Sequence, residues 1–433
     1  MVGYPDFKEK LEEKISEGLS EGLGQKLLTS RLFHRLFKRV FLWQKDFNLQ
    51  AAEEMTDFAL DLTARAYDNR QQTAWSTVFF PDEILYAANL VPFSPEVSAG
   101  VMAAFGRAEE MLQEAEAAGY APDTCSFHRC AGGLDINNYL PEPDVIVGSS
   151  HLCDGAPQLF SYYAQKYKVP CWILDVPVRS GERAEDYLAG QIEDMFSWSE
   201  KVSGCKITRT KLEKVFAASN RARENWLDIN NWRQKHPPVL TSPAALAFVY
   251  LHFLGFGAER TADIMDILAS ELQSGVENNR SRSSKEVPYL LWLHLRPYFS
   301  REVFDFIEGR AKIVCEEMLD LYWPRLDVDR PYRSLARKIL AHPGIGPLEN
   351  RVQAIKSKIA DYNIDGVIHF SHWGCRQSAG GTYQLQSRLK AEGIPFLDLQ
   401  GDCVDPGGFS SGQIRTRLES FLEMLEMRQQ KFG

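Results

Sequence analysis

The sequence predicts an α/β fold built from two similar parallel-sheet domains, with a helical N-terminal region and a helical connection. Three observations predict it. First, Gly366 to Phe370 is a short apolar run that enters a polar loop presenting His369, His372, Cys375 and Arg376. A helical pattern with Leu385 and Leu389 follows, and then a second apolar run, Ile394 to Leu399. This is a strand–loop–helix–strand unit, whose loop lies at the carboxyl end of a parallel strand, where ligands bind in open α/β sheets. Second, the unit occurs twice. Val145-Ile146-Val147-Gly148-Ser149 leads to Cys153 with the spacing that takes Val367 to Cys375, and each copy continues through a helical stretch into a strand opened by proline, Pro170 or Pro395. Third, apolar residues recur at helical spacing on either side of the first copy. Together these give two Rossmann-like halves, each offering a thiol at the end of a buried strand.

In order, residues 1–75 read as a helical N-terminal region. Lys26 to Asp46 is a basic amphipathic helix with Leu28, Leu32, Leu36 and Val40 on one face, read as docked on its own protein or on a subunit with its charges solvated. Residues 76–200 form the first α/β domain. There Phe79 and Phe80 end a strand, Pro81 to Ala88 turn into a capped helix, and Asp123 to Gly133 form a loop rich in chemistry. Residues 201–285 form the helical connection. A long helix over 205–235 presents Leu212, Val215, Phe216, Trp226 and Ile229 on one face and is stopped by Pro237-Pro238. Pro243 to Gly257 is a buried helix with Ser242 as its N-cap, and the polar stretch Glu277 to Glu286 is a linker. Residues 286–433 form the second α/β domain, with strands at Tyr289–Leu295 and Ala311–Cys315 and an amphipathic closing helix from Gly412.

Composition narrows the function. A chain of 433 residues suffices for more than one core. A formal charge of −9 with no offsetting basic patch argues against nucleic acid as the main partner. The longest apolar run, Pro243 to Gly257, contains His252 and is too short for a membrane span. Eight cysteines without a recognisable signal peptide are expected to be a reduced, cytoplasmic set, in which clustering points to metal or redox work. No Walker A, GxSxG or HExxH pattern occurs.

The chemistry sits in the cysteines. Cys125, Cys130, Cys153, Cys171, Cys375 and Cys403 fall in or beside strand-end loops of the two halves, whereas Cys205 and Cys315 read as incidental thiols. No CxxC pair is present, which disfavours a zinc ribbon or a ferredoxin-type run. Single ligands from distant loops are consistent with an iron–sulfur cluster in a cleft between domains. His128, Arg129, His151, His369, His372 and Arg376 are its candidate neighbours, as donors to sulfur or as loop caps. A zinc site built from Cys and His is the weaker alternative.

With these residues in view, the chain from Phe79 to Met427 resembles the 2-hydroxyacyl-CoA dehydratase family, which includes benzoyl-CoA reductase subunits and double-cubane cluster proteins. The carriers are Phe80-Pro81-Asp82-Glu83-Ile84-Leu85-Tyr86-Ala87, Cys125-Ser126-Phe127, His151-Leu152-Cys153-Asp154-Gly155, Leu174-Asp175-Val176-Pro177, Gly374-Cys375-Arg376, Gly393-Ile394-Pro395, and Thr416 to Glu423. The resemblance implies an iron–sulfur cluster on Cys125, Cys153 and Cys375, and low-potential single electrons from a separate ATP-hydrolysing iron–sulfur activator. It also implies a homodimer or a heterodimer with a similar subunit, and anaerobic life. Within the family, Cys130, Cys403 and Cys171 bring the thiols to the six that a double-cubane [8Fe-9S] reductase needs. A dehydratase subunit with one [4Fe-4S] cluster, eliminating water through a ketyl radical, and a non-catalytic electron-relay subunit are the alternatives.

Overall fold

The structure is a computed structural model and describes residues 49–235, 239–278 and 287–432. The basic helix expected over Lys26–Asp46, the stop at Pro237-Pro238 and most of the expected linker lie outside the described residues.

Two four-stranded parallel sheets form the frame. The first contains β1 (Thr73–Ser76), β2 (Val91–Phe93), β3 (Val145–Ser149) and β4 (Cys171–Leu174), in the order β2-β1-β3-β4. The second contains β5 (Tyr289–Leu293), β6 (Lys312–Glu316), β7 (Gly366–His372) and β8 (Phe396–Gly401), in the order β6-β5-β7-β8. The two orders are the same when each half is counted from its own first strand, so the repeat extends beyond the two thiol loops to the whole sheet. β3, β5 and β7 are buried along their full length, because helices cover both faces of a parallel sheet. That is why these strands read as unbroken apolar runs.

The helical connection is packed between the halves rather than strung between them. The helix Arg209–Arg233 buries Leu212, Val215, Phe216, Trp226 and Ile229, the face its periodicity predicts. One continuous core takes in Trp75 and Ile146 of the first half, Trp226 of the connection, and Trp292 and Phe370 of the second. The closing helix, Ser411–Phe432, buries Leu418, Phe421, Leu422 and Leu425.

Several local expectations change. β1 is complete by Ser76, so the strand precedes Phe79, which sits in a turn at φ +67°. Residues 126–133 are not loop but the start of the helix Ser126–Ile136, with Cys125 just before it. A helix over Glu182–Ser203 was not anticipated, and the long helix begins at Arg209. Pro243 to Gly257 is not one helix. A short turn at Ser242–Ala245 is followed by a tighter turn, Leu246–Phe248, and then by the helix Val249–Leu254. Thr241 precedes this segment, and the Ser242 hydroxyl is committed to Glu316 instead of to a cap.

Candidate functional site

Parallel strands deliver their loops to one end of the sheet, so β3 and β7 bring Cys153 and Cys375 to matching places. The residue before each thiol takes a left-handed conformation: Leu152 at φ +58° and Gly374 at φ +71°. The reversal turns the chain out of the strand. At Gly374 it also serves packing, since a Cβ there would lie 2.9 Å from the backbone of Cys125. The loop after β7 is thereby seated on the residue that starts the helix Ser126–Ile136, and a third thiol joins the first two. Asp402, after β8, fixes that helix from below. Its Oδ1 accepts from the Ser126 hydroxyl and from the backbone N–H groups of Val404 (2.7 Å) and Asp405 (2.8 Å).

Each of the three thiols faces an imidazole. Cys125 Sγ lies 3.4 Å from His372 Nε2, Cys153 Sγ 3.8 Å from His128 Nε2, and Cys375 Sγ 4.0 Å from His294 Nε2. For His372 the tautomer follows from the bonding. Its Nδ1 accepts the Cys403 N–H at 3.1 Å, so in the neutral ring the proton is on Nε2, directed at the Cys125 sulfur. His128 Nε2 is shared with Glu96 at 3.1 Å, whose other oxygen accepts the Val78 N–H at 2.8 Å. Glu96, His128 and Cys153 are grouped closely enough to share a metal ion.

Electrostatics describe a crowded site. Burial and the nearby Cys153 and Cys375 push the Cys125 thiol well above its ordinary range. Burial pushes Cys375 up too, against backbone N–H groups that favour the thiolate. Burial alone would lower His128, but Cys153 and Glu96 lift it to about 10. Neighbouring thiolates out of water repel one another, and a cationic metal core removes that penalty. The donor set therefore fits a thiolate-bound metal cluster.

The other expected residues are placed differently. Cys403 is fully buried beside His372, and burial, Asp402 and then the nearby Cys125 and Cys375 push its thiol well above the ordinary range. Cys130 points back into the core, its Sγ 3.9 Å from the Ala99 carbonyl. Cys171 begins β4, at the opposite end of the sheet from Cys153. The structure thus brings Cys125, Cys153, Cys375 and Cys403 together and leaves Cys130 and Cys171 apart. His151 packs edge-on against Phe79 and His342, and the His369 ring is held by Ser371 (3.2 Å) and Asp398 (3.6 Å). Arg129 is tied to Glu116 and Asp405. Arg376 pairs with Asp154 across the two halves, so the residue after Cys375 meets the residue after Cys153. The sequence reading missed Glu96 and His294. The available signal for His294 was its place just past the carboxyl end of β5. Glu96 had none.

The three thiols open onto a cavity of about 570 Å³, whose wall also includes Glu96, His128, His294 and Arg351. Cys130, Cys171 and Cys403 do not reach that wall.

These features define a duplicated α/β protein with a thiol site at its strand ends, opening onto a ligand-sized cavity. The family model for the 2-hydroxyglutaryl-CoA dehydratase D-component matches residues 77–425, and the chain belongs to this family. It is 22% identical to the (R)-phenyllactyl-CoA dehydratase alpha subunit of Clostridium sporogenes, over 86% of this chain and 94% of that one. Identity is also 22% to the (R)-2-hydroxyisocaproyl-CoA dehydratase alpha subunit of Clostridioides difficile, over 88% and 97% of the two chains. A benzoyl-CoA reductase subunit of Thauera aromatica is 24% identical, over 80% and 87%. The chain is an enzyme of the 2-hydroxyacyl-CoA dehydratase family. No helix among the described residues is long and apolar enough to cross a membrane.

Proposed function

We propose that Cys125, Cys153 and Cys375 hold a single [4Fe-4S] cluster and that the chain is one subunit of a dehydratase acting on a 2-hydroxyacyl thioester. It works in the cytoplasm with a similar subunit, and an ATP-hydrolysing iron–sulfur activator supplies the electrons. The observation that carries this is the convergence of three thiols, from three separate elements, on one cavity wall with an imidazole behind each. When bound, the cluster supplies a low-potential one-electron couple and, at an iron without a protein thiolate, a Lewis acid for the thioester carbonyl.

The chain's own residues do the rest. His372 Nε2–H is aimed at the Cys125 sulfur, and a hydrogen bond to a ligand sulfur raises the potential of a bound cluster. His128, braced by Glu96 at 3.1 Å, stands on the cavity wall, placed to hold a proton where the departing hydroxyl needs an acid.

A low-potential reductase carrying a double-cubane [8Fe-9S] cluster is the second reading, supported by the placement of Cys403 near Cys125 and Cys375. The positions of Cys130 and Cys171 weigh against it, since six thiolates must then meet. Iron and acid-labile sulfide per chain, after purification without oxygen, separate the two. About four irons are expected, and about eight would favour the double-cubane reading. Cys125→Ala, Cys153→Ala and Cys375→Ala should each lose most of the iron, while Cys130→Ala and Cys171→Ala keep it. Full iron in any of the first three variants removes that residue from the ligand set.

A further inference from the structure

Arg351 is buried on the helix Leu348–Asp361 and lines the cavity together with Glu317, Cys375 and Gln377. Its guanidinium joins segments that are distant in the chain. Nε and Nη2 donate to the two oxygens of Glu317 at 2.6 and 2.8 Å, and Nη1 donates to the Gln377 carbonyl at 3.1 Å. Glu317 follows β6 and is fixed to the second sheet, because its backbone N–H donates to the Trp292 carbonyl of β5 at 3.0 Å. Gln377 lies in the short helix Arg376–Ala379, which starts directly after Cys375. Arg351 thereby ties the turn that carries the third thiol to the sheet beneath it. The carbonyl it holds belongs to the peptide unit that also carries the Ser378 N–H. In a planar trans peptide these two groups point in opposite directions. With its carbonyl drawn to the guanidinium, the unit presents its N–H on the other side, where it favours the Cys375 thiolate. A cation on the carbonyl also strengthens that N–H as a donor.

We propose that Arg351 is a positioning residue for Cys375. By orienting the Gln377–Ser378 peptide it holds the Ser378 N–H toward the sulfur, and so controls how firmly the thiolate keeps its iron and how readily the cluster is reduced. The inference rests on the cluster reading above and adds a residue to it. Glu317 balances the charge of Arg351, so a cation at this place is not enough. The planar fork of the guanidinium spans a carboxylate and a carbonyl at once, which a lysine ammonium cannot copy. A hydrogen bond to a ligand sulfur raises the potential of a cluster, so its loss lowers it.

The test compares Arg351→Met, Arg351→Lys and Lys338→Met with the unaltered protein, each purified without oxygen and with any partner subunit in place. Lys338→Met is the stability control, since it strips buried Glu83 of its cation (2.5 Å) away from this cavity wall. Two quantities are read: the rate at which a chelator removes iron, and the midpoint potential from a redox titration followed by electron paramagnetic resonance. Arg351→Met should release iron at least about tenfold faster and titrate at a lower potential. Arg351→Lys should release iron nearly as fast, and it carries the test alone if the Met variant does not fold. Lys338→Met should lose stability with both quantities unchanged. An unchanged rate and potential in the Arg351 variants overturns the inference. So does full recovery in Arg351→Lys, which would make charge the cause, or an equal acceleration in Lys338→Met, which would make general instability the cause. An unaltered protein that holds no iron overturns the cluster reading and this inference with it.

Discussion

Gly374 shows how much of the site rests on single positions. Its left-handed backbone excludes most side chains, and a Cβ would press on the backbone of Cys125 at 2.9 Å. Gly374→Ala therefore carries strain of about 1–3 kcal/mol and pushes two thiol-bearing segments apart. The expected outcome is a lower unfolding midpoint together with lost iron. A variant with unchanged iron and midpoint would mean that the loop yields at no cost. The thiols themselves were legible, because Cys153 and Cys375 recur at the same distance from a buried strand. Their companions were not: His294 meets Cys375 from 81 residues away, and no local pattern encodes that contact. Cys130 misled for a simpler reason. It lies within the helix that Cys125 only precedes, on a face turned into the core toward Ala99.

At the scale of elements, a buried ion pair joins the helical connection to the second sheet. Arg233 ends the long helix and Glu316 ends β6; their side chains are each 1% exposed and meet through bonds of 2.7 and 2.6 Å. Arg233 also donates to the carbonyls of Leu240 (3.1 Å) and Val314 (3.0 Å), and the Ser242 hydroxyl donates to Glu316. Arg233→Met leaves Glu316 buried without a counter-charge, which costs about 3–5 kcal/mol. Adding Glu316→Leu should recover most of the loss, because replacing both partners by apolar groups removes the orphaned charge. Urea midpoints of the two variants check this, and equal midpoints would show that desolvation of Glu316 is not the cause. The same network bears on a misread element. Ser242 is held by Glu316, and the chain tightens at Leu246–Phe248 before resuming as helix. Residues 244–254 contain no glycine or proline to mark that break. The repeated strand–loop–helix unit was readable because both-sided burial makes its strands apolar throughout. β1 and β2, with four and three residues, were too short to leave a pattern.

Across the whole molecule, burying polar residues between two sheets ties stability to pH. Burial and Arg351, opposed by Glu317 and Asp398, push His369 down to about 4. Burial lowers His342 to about 4 as well. Each ring is neutral in the fold and free to protonate near its ordinary 6.5 once unfolded, so the unfolded chain binds more protons between those values. Stability then falls as pH drops from about 6.5 toward 4. His128, raised to about 10, adds no slope in that window, because its contribution is fully present below 6.5. A second loss follows at lower pH. Arg351 holds Glu317 at about 2 against the cost of its burial, and that contribution fades from about 4.5 downward. Denaturant midpoints at pH 7 and pH 5 should differ, with His369 accounting for at most about 2 kcal/mol of the change. His369→Gln has no proton to gain and should flatten part of that slope while retaining a polar partner for Ser371. If the variant and the original chain lose the same stability between pH 7 and pH 5, the neutral ring of His369 is not what links this fold to pH.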